Sequence, residues 1–434
     1  MNIDQLVEAG RVHRRVYLDP DIFDLELKKL FSVAWIYVGH ESQVPNPGDY
    51  YCTEIACQPV IMTRNVDNSI HVLFNRCGHR GAKVVSDESG NSDIFTCCYH
   101  GWSYSNDGKL IAVPQPRGYE KNSVKIGDPA FGMAVVPRFE SYRGFVFASL
   151  SPTGPSLNKF LGSITKSFDD LIDRAPGGDI VVQGGVARHL YRGNWKLIFE
   201  NLCDGLHPNC VHKSSIEAAE NQDDSVFSDG AGEIGVRQMR QNGVPWSFWE
   251  ESVGLWAFPY GHSYLGDYHD DEKLIIERKN PFFKAYYSAL KKAKGKNKAE
   301  KILSIARWNT NVFPTISFMS QFRQLRVIRP LSVDKTEVLG FCFRLKGAPE
   351  AMFHDTIRFA NITNAVASPV LTDDLETYDR IRRGLEAQGN DWISTGRGMG
   401  KDTEEERGVL RAENGLSELH IRNMFNVWLS YLSK

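Results

Sequence analysis

A chain of 434 residues with 42% hydrophobic and 11% aromatic content can build two or three cored domains, at roughly 100–200 residues each. Its 51 Lys and Arg against 53 Asp and Glu leave a formal charge of −2, with no positive excess to neutralise a nucleic-acid backbone. No run of about 18 apolar residues predicts a membrane span, and the amphipathic stretch 1–15 lacks the apolar centre of a signal peptide, so the expectation is a soluble, cytoplasmic protein with neither membrane nor nucleic acid as partner.

In chain order, residues 38–150 alternate short apolar runs with Gly, Asn, Asp and Pro. Val60-Ile-Met-Thr-Arg64, Ser69-Ile-His-Val-Leu-Phe74 and Gly144-Phe-Val-Phe-Ala-Ser-Leu150 read as strands of a small all-β domain. After Pro152 the texture becomes mixed. Phe160 to Arg174 is predicted as one amphipathic helix. Asp179 to Tyr191 and Leu325 to Arg344 read as antiparallel strands, and Ala351 to Gln388 and Glu413 to Leu432 as helices. Phe282 to Trp308 is Lys-rich and helical with a soft point at Gly295; a solvated helix and a flap over a pocket both suit it. The expected fold class is α+β, with an all-β domain over 38–155 and a second domain built from 1–37 and 156–434.

Eight cysteines, at 52, 57, 77, 97, 98, 203, 210 and 342, are too sparse for a disulfide framework and read as metal ligands or buried thiols. Cys52 and Cys57 have no matching His pair and read as buried strand residues. The informative stretch is Asn75-Arg-Cys-Gly-His-Arg-Gly-Ala82 followed by Phe95-Thr-Cys-Cys-Tyr-His-Gly-Trp102. Stripped down, it is Cys-x-His, seventeen residues, then Cys-x-x-His. Each prong supplies one Cys and one His, and Gly78, Gly81 and Gly101 permit tight backbone. Cys77, His79, Cys97 and His100 are the donor set of a Rieske-type [2Fe–2S] cluster: two thiolates for one iron, two imidazoles for the other, which raises the potential above that of an all-Cys cluster. Cys98 should point elsewhere. The alternative is a Cys₂His₂ zinc site, although zinc patterns pair Cys with Cys and His with His.

A second constellation is Gly193-Asn-Trp-Lys-Leu-Ile-Phe-Glu-Asn-Leu-Cys-Asp-Gly-Leu-His-Pro-Asn-Cys-Val-His212. In a regular helix His207 and His212 would lie about 140° apart and could not share a metal. Pro208 disfavours the α region at His207, so a break near 207–209 is predicted that lets the imidazoles converge. Two histidines and one carboxylate make the facial triad of non-haem Fe(II) oxygenases, with open positions for O₂. Asp204, three residues before His207, can hydrogen-bond that imidazole or cap a helix.

Taken together, 75–82, 95–102 and the Glu-Asn-x-x-Asp-x-x-His-x₄-His run from Glu200 resemble the large (alpha) subunit of Rieske ring-hydroxylating oxygenases, over essentially the whole chain. Departures are Cys98, where the family usually has proline, and Leu206, where it often has tyrosine. The resemblance implies a Rieske domain placed before a helix-grip (START-like) catalytic domain, with one [2Fe–2S] cluster and one mononuclear Fe(II) per subunit. It also implies a third iron ligand at the start of a long helix, where Ser368-Pro-Val-Leu-Thr-Asp-Asp-Leu-Glu-Thr-Tyr-Asp379 matches; Asp374 is the choice and Asp373 the competitor. By the same resemblance, Asp204 would bridge His100 of one subunit to His207 of its neighbour in a head-to-tail trimer.

The segments Phe322-Arg-Gln-Leu-Arg-Val-Ile-Arg-Pro-Leu-Ser-Val-Asp-Lys-Thr-Glu-Val338 and Thr372-Asp-Asp-Leu-Glu-Thr-Tyr378 look like the benzoate, toluate and p-cumate dioxygenase branch. That implies addition of both atoms of O₂ to an aromatic ring, giving a cis-dihydrodiol, and a benzoate- or p-cumate-type carboxylate as substrate. A Rieske monooxygenase or demethylase is the alternative, and a zinc-bearing ligand-binding protein the more distant one. Implied partners are an NADH-dependent reductase, with or without a ferredoxin, and a small β subunit (α₃β₃), or else a homotrimer. The sequence holds no Gly-rich nucleotide-binding loop of its own. Pocket candidates are Asn201, Leu202, Leu206 and Val211, with Asn201 able instead to orient ligands.

Overall fold

The computed structural model describes residues 2–120, 123–223, 233–268 and 281–433. It divides into two units, Glu26–Lys159 and a second made of Met1–Leu25 with Phe160–Lys434.

The Glu26–Lys159 unit is all-β, as its short alternating runs predict. Strands β1 (Ile36–His40), β2 (Asp49–Ile55), β3 (Gln58–Arg64), β4 (Ile70–Phe74), β5 (Ser89–Asn91), β6 (Ile94–Thr96), β7 (Ser103–Ser105), β8 (Leu110–Ala112), β9 (Arg138–Tyr142) and β10 (Phe145–Ser149) form three small sheets. Their orders are β4-β3-β2-β5, β8-β7-β6 and β9-β10-β1. The hairpin of β3 and β4 pairs Ile61 with Leu73 and Met62 with Val72, and these four side chains are fully buried. Two loops carry the Cys and His prongs: one follows β4, and the other joins β6 to β7. Cys57, expected in a buried strand, is exposed instead; it sits in the β2–β3 turn, where Ala56 and Cys57 both adopt positive φ to reverse the chain.

The second unit centres on a nine-stranded antiparallel sheet. Its strands are β11 (Ile180–Arg192), β12 (Gly254–Ala257), β13 (Ser263–Tyr268), β14 (Ile305–Val312), β15 (Ile316–Met319), β16 (Gln324–Ser332) and β17 (Lys335–Leu345), with two short late strands at Leu410–Arg411 and Thr403–Glu404. The order is β11-β17-β16-β15-β14-β13-β12, then the two late strands. Three short helices, α1 (Lys196–Leu202), α2 (Pro208–Val211) and α3 (Lys213–Glu220), follow β11. Helix α4 (Glu350–Thr363) packs on β17, and α5 (Leu371–Glu386) on β11. This is the antiparallel sheet with helices that was expected.

Several elements differ in extent from the sequence expectation. The helix predicted over 160–174 is interrupted by a 3₁₀ turn at Gly162–Ile164, where Gly162 has φ +50°. The Lys-rich stretch is two helices, Pro281–Lys294 and Lys296–Ser304, separated by Gly295 at φ +81°, and Trp308 belongs to β14 rather than to a helix. The last helix starts at Leu419, six residues later than its apolar pattern suggested. No helix among the described residues is long and apolar enough to cross a membrane.

Candidate metal centres

The two Cys/His loops are built alike. In each, the cysteine N–H donates to the carbonyl five residues on (Cys77 to Ala82, Cys97 to Trp102, both 2.8 Å). The glycine four residues on donates back to the cysteine carbonyl (Gly81 and Gly101, both 3.0 Å). Closing so tight a loop needs positive φ at that glycine, and both have it, at +75° and +67°. Asn75 fastens the first loop: its Oδ1 accepts from Val84 and Val85 N–H, and its Nδ2 donates to the Val85 carbonyl.

These loops present two thiols and two imidazoles to one another. Cys77 and Cys97 are buried in the unit's core with Tyr50, Phe95, Trp102 and Tyr104, while Cys98 is exposed. The His79 and His100 rings lie 4.7 Å apart, and the Nδ1 of each is shielded from solvent without a hydrogen-bond partner. Two buried thiols and two unpartnered imidazole nitrogens on facing loops fit a metal group, since such atoms would otherwise carry a desolvation cost. A single zinc fits poorly: among the described residues the only three donors within 4.8 Å of one another lie elsewhere in the chain. Tyr104 Oη lies 3.0 Å from Cys77 Sγ and accepts from the Gly78 N–H at 3.0 Å. The Trp102 ring stacks on His79 at 4.8 Å.

Those three donors are His207, His212 and Asp374. Asp374 Oδ1 is 3.8 Å from His207 Nε2 and 3.5 Å from His212 Nε2. The imidazoles converge as predicted, but the break lies elsewhere. Helix α1 ends at Leu202, residues 203–206 form the break, and His207 keeps α-region angles (φ −58°, ψ −33°). Pro208 sits at the first position of α2, where its missing N–H costs nothing. The second kink is His212 itself, at φ −97°, ψ 21° between α2 and α3. Each imidazole also has a carboxylate behind it. Asp204 Oδ2 is 3.6 Å from His207 Nδ1, and Asp373 Oδ2 is 3.5 Å from His212 Nδ1. Burial disfavours the charged form of Asp204, yet contact with His207, the Leu206 N–H and the Arg397 guanidinium at 3.1 Å outweigh it and hold the carboxyl down to about 2. Asn201 Nδ2 donates to Asp374 Oδ1 at 3.1 Å.

Two adjoining cavities share Asn201, Leu202, Arg326, Asn364 and Asp374; one of them is lined by the whole trio and the other reaches only its Asp374. Asn201 and Leu202 line both of these cavities, and Leu206 and Val211 line neither. Leu206 packs into the cluster of Cys203, Trp249 and Leu255, and Val211 is one helical step, about 100°, away from the inward-facing His212. The sequence reading missed Arg326, His189 and Asn309, which the sheet brings to the cavities. Arg326 shares its strand with Gln324 and Arg329, so its charge alone did not single it out.

Comparison with known proteins agrees with this geometry. Residues 34–135 match the Rieske [2Fe–2S] domain, and residues 179–434 match the ring hydroxylating alpha subunit catalytic domain. The chain belongs to the ring-hydroxylating alpha-subunit family. Toluate 1,2-dioxygenase subunit alpha of Pseudomonas putida is 35% identical over 401 residues, covering 91% of this chain and 84% of that protein. The 2-halobenzoate 1,2-dioxygenase large subunit of Burkholderia cepacia is 33% identical, covering 89% and 80%. The structure of naphthalene 1,2-dioxygenase with indole bound superposes over 100% of this chain and 95% of its own at TM-score 0.84 and 24% identity, which establishes the shared fold. As a ring-hydroxylating alpha subunit, the chain is a dioxygenase-type oxidoreductase that uses a Rieske cluster and a mononuclear iron.

Proposed function

We propose that this chain is the terminal-oxygenase subunit that adds both atoms of O₂ to the ring of a benzoate-type aromatic carboxylate, giving a cis-dihydrodiol. The observation that carries this reading is the His207, His212 and Asp374 trio facing a pocket, in a chain whose 35% and 33% identical relatives are named for aromatic acids. We assign Cys77, His79, Cys97 and His100 to the cluster and the trio to the single iron. When bound, the cluster supplies electrons one at a time and the iron supplies open positions for O₂.

The chain's own residues hold and orient. The Asn201 amide and the two carboxylates behind the histidines fix the donors' directions, so that they need not reorganise when the pocket fills. Trp249, Leu265, Trp308, Met319 and Phe359 line the cavity and exclude water around a flat apolar ring. Overall, two electrons and two protons enter with one O₂, and both oxygens leave in the product. The electrons come from NADH through a separate reductase, with or without a ferredoxin. The assembly in this reading is a trimer, alone or as α₃β₃ with a small β subunit, in which Asp204 links His207 to His100 of the neighbouring subunit.

Isotopically labelled dioxygen tests the reaction. With a reductase, NADH and benzoate or 4-isopropylbenzoate, two labelled atoms should appear in one product molecule. A single labelled atom would instead establish monooxygenation.

A further inference from the structure

Arg326 lies on β16 in a row that crosses the sheet through Ala187, Gly340, Arg326 and Ser317. It lines both cavities beside the metal trio and is only 8% exposed. The other charged arginines near it on this sheet have carboxylate partners: Arg307 pairs with Asp170, and Arg329 with Glu337 at 3.3 Å. Arg326 makes no ion pair among the described residues; the carboxylate that acts on it, Asp374 of the trio, lies beyond ion-pair distance. Both its terminal nitrogens reach a single acceptor, Asn309 Oδ1, at 3.2 Å, and its Nε has no hydrogen-bond partner. Burial pulls the guanidinium down to about 10, so it stays charged at neutral pH. An unpaired buried cation is costly unless an anion arrives to meet it.

The surroundings leave room for that anion. Gly340 and Ala187, next along the row, line the same cavity and present no bulky side chain to it. Two residues beyond Ala187, His189 lines the cavity too, and its Nε2 is shielded and unpartnered. Burial and the nearby Arg326 charge keep that ring in its neutral form, able to donate one N–H. The rest of the lining is largely apolar, including Ile198, Leu325, Val338 and Ile357.

We propose that Arg326, seconded by His189, binds the carboxylate of the aromatic substrate and thereby fixes which edge of the ring faces His207, His212 and Asp374. This rests on the aromatic-acid reading given above and names the residue that enforces it. A planar guanidinium matches a carboxylate in a way no neutral arene can exploit. Selection for acids over hydrocarbons of the same shape then follows from leaving the cation unpaired when the wrong substrate binds.

The test uses the holoenzyme and its Arg326→Met, Arg326→Lys and His189→Gln variants. Calorimetric binding of benzoate under anaerobic conditions is measured beside turnover of benzoate and of toluene, with iron content and melting temperature as controls. Arg326→Met should weaken benzoate binding about 100-fold, raising KM far more than it lowers kcat, with toluene turnover kept or improved. Arg326→Lys should recover part of the affinity, and His189→Gln should lose less than Arg326→Met. Unchanged benzoate binding in Arg326→Met overturns the anchor while leaving the aromatic-acid reading intact. Equal loss for benzoate and toluene also overturns it, because that marks a structural role. A parent protein that turns over toluene and binds no aromatic acid overturns the substrate class, and the anchor with it.

Discussion

Asp373 and Asp374 stand side by side in the first turn of α5, yet they face different atoms. Asp374 reaches the Nε2 of both histidines, whereas Asp373 stands behind His212 Nδ1. On the assignment proposed above, Asp374 is the ligand and Asp373 the supporter, and their removal should have different consequences. Asp374→Ala should empty the single-iron site, so that the ratio of iron to acid-labile sulfide drops from about 1.5 to about 1. Asp373→Ala should keep that iron at saturating metal while weakening its affinity about 10–100-fold. Metal analysis of both variants checks the assignment. Tyr104 offers a second test at this scale. Its hydroxyl lies against Cys77 Sγ, where it stabilises added negative charge on the sulfur. Tyr104→Phe should therefore lower the cluster potential by about 40 mV, the one-electron equivalent of roughly 1 kcal/mol, read by redox titration. The sequence showed the adjacent aspartates but could not separate them by pattern, because one helical step turns a side chain about 100° and tertiary packing decides which turn faces the metal. Arg326 was out of reach for the same reason: a strand's two-residue period shows two faces, not which of them is covered.

At the scale of elements, the two cluster loops were legible because four donors and three glycines fall in two short segments, each folding on itself. The loop between α1 and α2 was legible only in outcome. A proline after His207 suggested a break at that residue, but Pro208 instead took the first turn of α2, and the chain bent before and after the histidine-bearing segment. Local rules allow either placement, and packing selects one. The glycines of the cluster loops also serve different ends. Gly81 and Gly101 supply positive φ, whereas Gly78 supplies space: a Cβ there would lie 2.4 Å from the Phe131 carbonyl oxygen and 2.9 Å from that of Gly132. Both obstacles are backbone and cannot swing aside. Gly78→Ala should thus push the first prong off its partner and cut cluster content by more than half, read as visible absorbance and sulfide per chain. Full cluster occupancy in that variant would show that the 129–132 segment yields freely.

Across the whole molecule, burial of titratable groups sets how stability responds to pH. His262 is held neutral: its Nδ1 accepts from the Phe313 N–H, so Nε2 must be the donor to the Phe160 carbonyl. Burial lowers His262 and His420 to about 4. Their contribution is present above about 6.5 and is lost as pH falls towards 4. Glu200 acts in the opposite direction. Burial raises its carboxyl from 4.5 to about 7, with Glu418 and Asp204 adding to the rise and the Tyr17 hydroxyl and Lys196 opposing it. The native state then holds a proton that the unfolded chain releases, so this contribution is full below about 4.5 and is lost as pH rises through 7. Between pH 5.5 and 8 the loss is roughly 2 kcal/mol. Glu200→Gln removes the titration while keeping an acceptor for the Tyr17 hydroxyl, which lies 2.7 Å away. The histidines are common to parent and variant, so the difference between their melting curves isolates Glu200. On going from pH 5.5 to 8, the parent should lose about 2 °C of melting temperature relative to the variant, an amount set by the unfolding entropy of so long a chain. Parallel pH profiles would mean that Glu200 stays ionised across this range, with Lys196, four residues before it on α1, as its counter-ion.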